Sequence, residues 1–406
     1  YSSAASDVYK RQKIAREPSV RMNKNQPEKN HKADRGPLRD AQVWVVKVGS
    51  ALITREEGGI DLERIGSWCT QIAAMLAAGK KVVLVSSGAI ALGYLRLGFK
   101  QRPEKLSDLQ AAASVGQIGV IQAYEEKFRE SERQVGSVLL THDDLKDRSR
   151  YLNASGTLGT LLKHGVIPII NENDSVATDE IKFGDNDTLA ARVSSLISAD
   201  ALLLLTDQAG LLTKDPRIDA DAELVHRASA FDENLIPMAG EDHGSMGRGG
   251  MVTKIRAARH AAKSGCHTVI ADGRHDGVIL EVTNGQNMGT WLAADVNKLD
   301  ARKQWIAGQL NADGEIRIDG GATQALLSQG VSILPIGVTA VTGDFKRGDM
   351  VSIKDSAGLE IARGLVNYGA DEARRLVGRS SDEIELAIGY VGQQELIHRD
   401  NLVLVP

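Results

Sequence analysis

Two lysines stand beside glycines at widely separated places in the chain: Lys47 in Val-Val-Lys-Val-Gly-Ser and Lys254 in Gly-Arg-Gly-Gly-Met-Val-Thr-Lys. Glycine lets backbone N–H groups approach a phosphate closely, and a nearby ammonium supplies the neutralising point charge. A chain that builds this twice is suited to hold a polyphosphate at two places, so phosphoryl transfer is the first expectation. Lys47 lies between Val46 and Val48, where a lysine costs stability unless its ammonium reaches a polar cleft. The loop ending at Lys254 lacks the Gly-x-x-x-x-Gly-Lys-Ser/Thr spacing, and a glycine-rich helix entry also occurs without a ligand. A dinucleotide fingerprint is missing from the first strand turn, which argues against a dehydrogenase.

Ser87-Gly88-Ala89 closes an apolar run and opens a helical one, so free N–H groups and the positive end of a helix dipole are expected there. An ordinary capping serine explains the same residues. Asn171-Glu-Asn-Asp-Ser175 and Gly184-Asp-Asn-Asp187 are dense in carboxylates and amides, and Asp207 follows Leu-Leu-Leu-Leu-Thr206. Such clusters could bind an ammonium group and a metal-bound phosphate, although Asp187 could simply cap the helix after it and Asp185 could be a turn residue. The segment between the two clusters could serve as a lid. His142, His164, His226 and His243 have no serine or cysteine partner in their sequence contexts. A hydroxyl acceptor would need a general base, whereas a carboxylate is already an anion at neutral pH. Its difficulty is repulsion from the triphosphate, which lysines, magnesium and helix N-termini relieve by electrostatics and positioning. The residues therefore suit an acid kinase better than an alcohol kinase.

The elements that must place these groups follow from periodicity. Short aliphatic runs at 43–48, 81–87, 136–140, 166–171, 201–207 and 267–271 are predicted strands. Helices are predicted over 62–78, 107–130, 147–164, 187–198 and 250–264, where apolar residues recur every three or four positions. Continuous apolar strands alternating with helices imply a mainly parallel sheet covered on both faces, a three-layer αβα sandwich. Ligands in such sheets lie beyond the carboxyl ends of the strands, where Lys47, Ser87, Asn171 and Thr206 fall. Beyond about residue 298 the pattern shortens into small strands at 315–319, 332–334, 337–342, 350–354 and 360–366, with a helix at 321–329. A separate mostly-β module is expected over 298–395, followed by a tail over 396–406.

Two cysteines in 406 residues, Cys69 and Cys266, offer neither a disulfide framework nor metal spacing, which suits a reducing cytoplasm. No apolar run approaches a membrane span. Net charge is −4, with +5 on residues 1–40 and therefore −9 on the remainder. That basic segment lacks apolar periodicity and is expected to be a disordered tail, its opening residues resembling translated adapter sequence. Residues 300–400 carry eleven Lys and Arg against fifteen Asp and Glu, a poor match for a nucleic-acid backbone.

Six motifs in order resemble the amino acid kinase family, in particular its glutamate-phosphorylating branch: Val-Val-Lys-Val-Gly-Ser, Ser-Ser-Gly-Ala-Ile, Ile-Asn-Glu-Asn-Asp, Lys-Phe-Gly-Asp-Asn-Asp, Leu-Leu-Thr-Asp-Gln and Gly-Gly-Met-Val-Thr-Lys. The resemblance runs from about residue 41 to the C-terminus, with 41–297 as the catalytic domain. Gly314-Glu-Ile-Arg-Ile-Asp-Gly-Gly-Ala322 and Val341-Thr-Gly-Asp-Phe-Lys-Arg-Gly-Asp349 resemble a PUA module.

The resemblance implies that Lys47 and Lys254 stabilise the transferring phosphoryl group and that Asp187 organises them. It implies Ser87, Asn171, Asp174 and Asn186 as the glutamate site, with Asp174 toward the α-ammonium. ATP would lie against Lys47, Thr206, Asp207 and Arg248, Gly249, Gly250, Met251, Val252, Thr253 and Lys254. Magnesium would be held mostly by ATP and water, without protein ligands. Proline inhibition near the glutamate pocket and a homo-oligomer, dimer or tetramer, are implied as well. Acetylglutamate, aspartate and nucleoside monophosphate kinases of the family are the rival readings, and RNA binding through the PUA module is a rival of another class. Ala51 and Arg248 stand where hydroxyl residues are frequent in the family. Neither change removes the function if backbone N–H groups do the binding.

Overall fold

Branched aliphatics in runs of about six favour extended backbone, and these runs become the central strands. The computed structural model describes residues 35–55, 59–176, 186–215, 219, 221–240, 250–295, 312–390 and 392–405. The first sheet contains β1 Val43–Val48, β2 Lys81–Val85, β3 Val135–Leu140, β4 Ile167–Glu172, β5 Ala201–Thr206, β6 Arg227–Ser229, β7 His267–Asp272 and β8 Thr290–Ala293. Its helices are α1 Gly36–Asp40, α2 Ser50–Ile53, α3 Leu62–Ala77, α4 Ala89–Arg96 and α5 Leu106–Arg129. Continuing along the chain come α6 Arg148–Lys163, α7 Asn186–Leu196, α8 Leu235–Met238, α9 Met251–Ala262 and α10 Val278–Thr283. Aspartates start two of them, because Asp61 accepts from the Arg64 amide and Asp147 from the Arg150 amide.

Strand order is β3-β4-β2-β1-β5-β7-β8-β6. The six strands from β3 to β7 in that order are parallel, while β8 runs antiparallel to β7 and β6 pairs with β8. The chain builds one side of the sheet through β4, then returns to lay β5 against the other side of β1. Connections diverge at the β1–β5 edge, which opens a crevice there.

Side-chain parity divides the core. Trp44, Val46, Leu203 and Leu205 pack with Trp68 and Ile72 of α3, Tyr124 and Phe128 of α5, and Ile279 of α10. Val45, Leu202 and Leu204 pack on the opposite face with Leu158 of α6, Leu189 and Val193 of α7, and Ile255 and Ala258 of α9. Cys69 and Cys266 are buried in these clusters, one in each.

Helices α4 and α5 cross backbone to backbone. A Cβ on Gly93 would stand 1.7 Å from the Ala112 carbonyl oxygen, and one on Gly116 1.8 Å from that of Ala89. Neither carbonyl can swing away as a flexible side chain would. Gly93→Ala is therefore expected to cost about 3 kcal/mol and lower the melting temperature by several degrees. A variant melting with the parent would contradict the crossing.

The second sheet is separate, in order β10-β9-β11-β12-β13. Its strands are β9 Gly314–Ile318, β10 Val338–Gly343, β11 Met350–Lys354, β12 Glu360–Leu365 and β13 Leu402–Leu404. With them come α11 Gly320–Gln329, capped by Asp319, and α12 Ala370–Leu376 and α13 Ile384–Ile388. They enclose a core of their own around Ile316, Val351, Ile353 and Leu376.

Several expectations need correction. Residues 332–334 form no strand, and only Ile333 bridges to Ile397. The tail expected from residue 396 joins the module: Leu396 and Ile397 are buried, and β13 pairs with β12. Three residues of strand are too short for a periodic signal, so only the pairing exposes them. The tail expected over 1–40 ends earlier, since Gly36–Asp40 is helical and Leu38 is buried. Arg35 donates to the carbonyls of Gln286, Met288, His226 and Gly289, fastening this stretch beside β8. Residues 1–34 and the boundary near 298 lie outside the described residues. No helix among the described residues is long and apolar enough to cross a membrane.

Candidate active site

Lys47 is two residues beyond Val45 and so faces the same side of the sheet, toward α7 and α9. Those helices begin with Asn186-Asp187 and with Met251-Val-Thr-Lys254. The three charges therefore meet. Lys47 Nζ lies 2.5 Å from Asp187 Oδ1, and Lys254 Nζ lies 3.1 Å from Asp187 Oδ2. Thr253 Oγ1 is also 3.1 Å from Asp187 Oδ2. Asp187 is fully buried and each lysine is 6 % exposed. Burial alone would raise the Asp187 carboxyl, but the two ammoniums outweigh it and bring the pKa down to about 2. Within this described trio two ammoniums share one carboxylate, so the trio itself carries a net positive charge.

Beside this group lies a polar network. Asn186 Nδ2 reaches the Ser86 carbonyl at 2.9 Å, Ser87 Oγ at 2.8 Å and Asn171 Oδ1 at 3.0 Å. Asn171 in turn donates to Gln117 of α5 at 2.8 Å. The ends of β2 and β4 are thereby tied to the start of α7. Gly88, with φ of 92°, turns the chain from β2 into α4, a left-handed conformation that glycine adopts without strain. Free amides of α4 and α9 open at the same sheet edge.

Asp174 follows β4 in a turn. Burial first, then the neighbouring charge of Glu172, push its carboxyl up to about 7, while Arg102 pulls it down. Thr206 ends β5, and its Oγ1 donates to Asp207 at 3.2 Å. Arg274 clamps this corner, bonding the Asp207 carbonyl at 2.7 Å while paired with Asp272. Thr206 pairs with Asp272 across the β5–β7 ladder, so this corner shares the edge that carries Lys47.

Two residue sets chosen from sequence are thus brought together: Lys47, Asp187, Thr253 and Lys254, and Ser87, Asn171 and Asn186. Gly250 to Lys254 open α9 as expected, with Gly250 at its N-cap. Arg248, Gly249 and Asp185 lie outside the described residues. Ala51 is exposed in α2. Gln117, Glu172 and Arg274 were not singled out by sequence reasoning, and His142 was weighed only as a general base and set aside. Glu172 lies inside a carboxylate-rich motif that did attract notice, but the others carry no local signal. Among the described residues no group of His, Cys, Asp or Glu has metal-binding geometry.

A model of the amino acid kinase family matches residues 42–272. The chain belongs to the amino acid kinase family. A PUA domain model matches residues 314–387, the second sheet and its helices. Among relatives in this family, the glutamate 5-kinase of Thioalkalivibrio sulfidiphilus is 55 % identical over 91 % of this chain and 99 % of its own length. That of Hahella chejuensis is 53 % identical over 93 % of this chain and 97 % of its own. The Nitrosospira multiformis glutamate 5-kinase is 55 % identical over 91 % and 99 %.

Proposed function

We propose that this chain transfers the γ-phosphoryl group of ATP to the γ-carboxylate of L-glutamate, giving L-glutamyl 5-phosphate, the opening step of proline synthesis. The observation that carries this reading is near end-to-end identity above one half with proteins named glutamate 5-kinase. The lysine–aspartate cluster supports it chemically. A γ-carboxylate oxygen attacks the γ-phosphorus, the bond to the bridging oxygen breaks, and ADP leaves. No proton has to move, so the site needs cations and not a base.

Asp187 holds Lys47 and Lys254 side by side and pre-aligned, so their ammoniums meet the charge developing on the equatorial oxygens. Ser87, Asn171 and Asn186 position the acceptor, and Asp174 takes its α-ammonium. Thr206, Asp207 and the residues from Arg248 to Lys254 hold the nucleotide. Magnesium would come bound to the nucleotide's phosphates and would screen their charge. Both oxygens of Asp187 are already engaged by ammoniums, so phosphate and water would supply its ligands.

The catalytic domain spans 41–297, and the C-terminal β module serves regulation or assembly. Proline acts from the glutamate pocket, and the working form is a cytoplasmic homo-oligomer. A substrate panel with hydroxylamine trapping tests the central claim. L-glutamate should give the hydroxamate, at least about tenfold faster than N-acetylglutamate or L-aspartate, because binding sites discriminate strongly when buried polar groups are left unpaired. Faster trapping with either rival acid would replace this reading.

A further inference from the structure

Gln117 has no part in the scheme above, yet it closes the carboxamide network on the α5 side. Its Oε1 accepts from Asn171 Nδ2 at 2.8 Å, while its own buried Nε2 makes no hydrogen bond among the described residues. A covered donor without an acceptor costs stability, and an apolar side chain of similar size would avoid that cost. What the amide gains in return is one contact, with Asn171. Backbone groups decide the sense of the network. The Ser86 carbonyl can only accept, so Asn186 must offer it Nδ2. The Glu172 N–H can only donate, so Asn171 must offer it Oδ1, which also receives Asn186 Nδ2. That leaves Asn171 Nδ2 for Gln117 Oε1. We infer that Gln117 is a positioning residue: it grips the nitrogen end of the Asn171 amide while Asn186 grips the oxygen end, and so fixes the network for the acceptor acid.

Gln117 is rigidly mounted for this. It follows Gly116, where α5 meets α4 so closely that a Cβ would stand 1.8 Å from the Ala89 carbonyl oxygen. Ala89 opens α4 directly after Ser87-Gly88. One crossing therefore sets both Gln117 and Ser87, the two ends of the network. Ser87 Oγ accepts from Asn186 at 2.8 Å, which leaves its own O–H to donate to an anion. The Asn171 nitrogen likewise carries a second N–H that Gln117 does not use. Without Gln117 Oε1 the nitrogen end of that amide is unrestrained, and ordering it falls to substrate binding. The two lysines take their placement from Asp187, so loss of Gln117 should weaken binding of the acceptor and leave phosphoryl transfer alone.

The inference rests on glutamate being the substrate, and a double-mutant cycle reads it in steady-state kinetics on the full chain. Gln117→Leu should raise KM for L-glutamate about tenfold, with kcat and KM for ATP changed less than about twofold. Its melting temperature should stay within about four degrees of the wild-type value. In an Asn171→Ala background the same substitution should add less than about twofold, since its partner is already gone. A merely structural glutamine would give one factor in both backgrounds. An unchanged KM for glutamate in Gln117→Leu would overturn the inference, as would a fall in kcat alone or an undiminished effect in the Asn171→Ala background. Should the leucine variant misfold, Gln117→Met, close in length and volume, serves the same cycle. Misfolding of both would make Gln117 a folding residue and sink the inference. No turnover of L-glutamate by the wild-type chain would instead count against the proposed substrate, and the cycle is then run on the acid that hydroxylamine trapping identifies.

Discussion

Lys254→Ala is expected to lower kcat by on the order of a hundredfold or more while the protein stays folded. The ammonium removed lies 3.1 Å from Asp187 in the first turn of α9, below the crevice at the β1–β5 edge. It is one of the two ammoniums that Asp187 brings together, and a carboxylate acceptor calls for no general base that could take over its work. Stability should change little, because Asp187 keeps Lys47 at 2.5 Å and the Thr253 hydroxyl at 3.1 Å. The buried carboxylate is therefore not left alone. Glutamate affinity should also hold, since Ser87, Asn171 and Asn186 form a network that does not include Lys254. Circular dichroism and steady-state kinetics on the purified variant check this. Turnover near the wild-type rate would show that the α9 lysine does not touch the reacting phosphate.

Asp187→Asn should act on both rate and stability. Removing the anion takes from Lys47 and Lys254, each 6 % exposed, the buried carboxylate they share. Breaking a buried ion cluster in this way costs about 3–5 kcal/mol. The two ammoniums then repel, lose their alignment, and kcat should fall by about a thousandfold.

The pH dependence gives an independent check. The Asp187 carboxyl is lowered in the folded state to about 2, against about 3.9 when unfolded. Its contribution is therefore complete above about pH 4 and is lost as pH falls toward about 2, roughly 2–3 kcal/mol in all. Urea unfolding at about pH 7 and about pH 3 should show a smaller difference for Asp187→Asn than for the wild-type protein. Equal stability of the two proteins at neutral pH would mean the ion cluster is not buried as described.

Much of this arrangement could be read from local pattern. Aliphatic runs such as Ala201–Thr206 announce strands because a sheet covered on both faces needs apolar side chains on both sides. Lys47 announces itself because a lysine among valines needs a polar destination. Glycine clusters mark the turns at Gly88 and Gly250 because helix entry and phosphate approach both favour a bare backbone. Strand β8, with four residues, and β13, with three, carry too little periodicity to be distinguished from loop. Arg35 looked like part of a charged tail, since nothing near it in sequence reveals the four carbonyls it meets.

Residue type and spacing were enough to name the chemistry: two lysines, an aspartate and a carboxamide network suited to joining anions. They could not say that both ammoniums would converge on one carboxylate. That outcome depends on strand register, which points Lys47 toward α7 and α9, and on the crossover that lays β5 beside β1. Nor could they bring His142 to within 3.3 Å of Glu172, because that approach is set only when the loop after β3 packs against the end of β4.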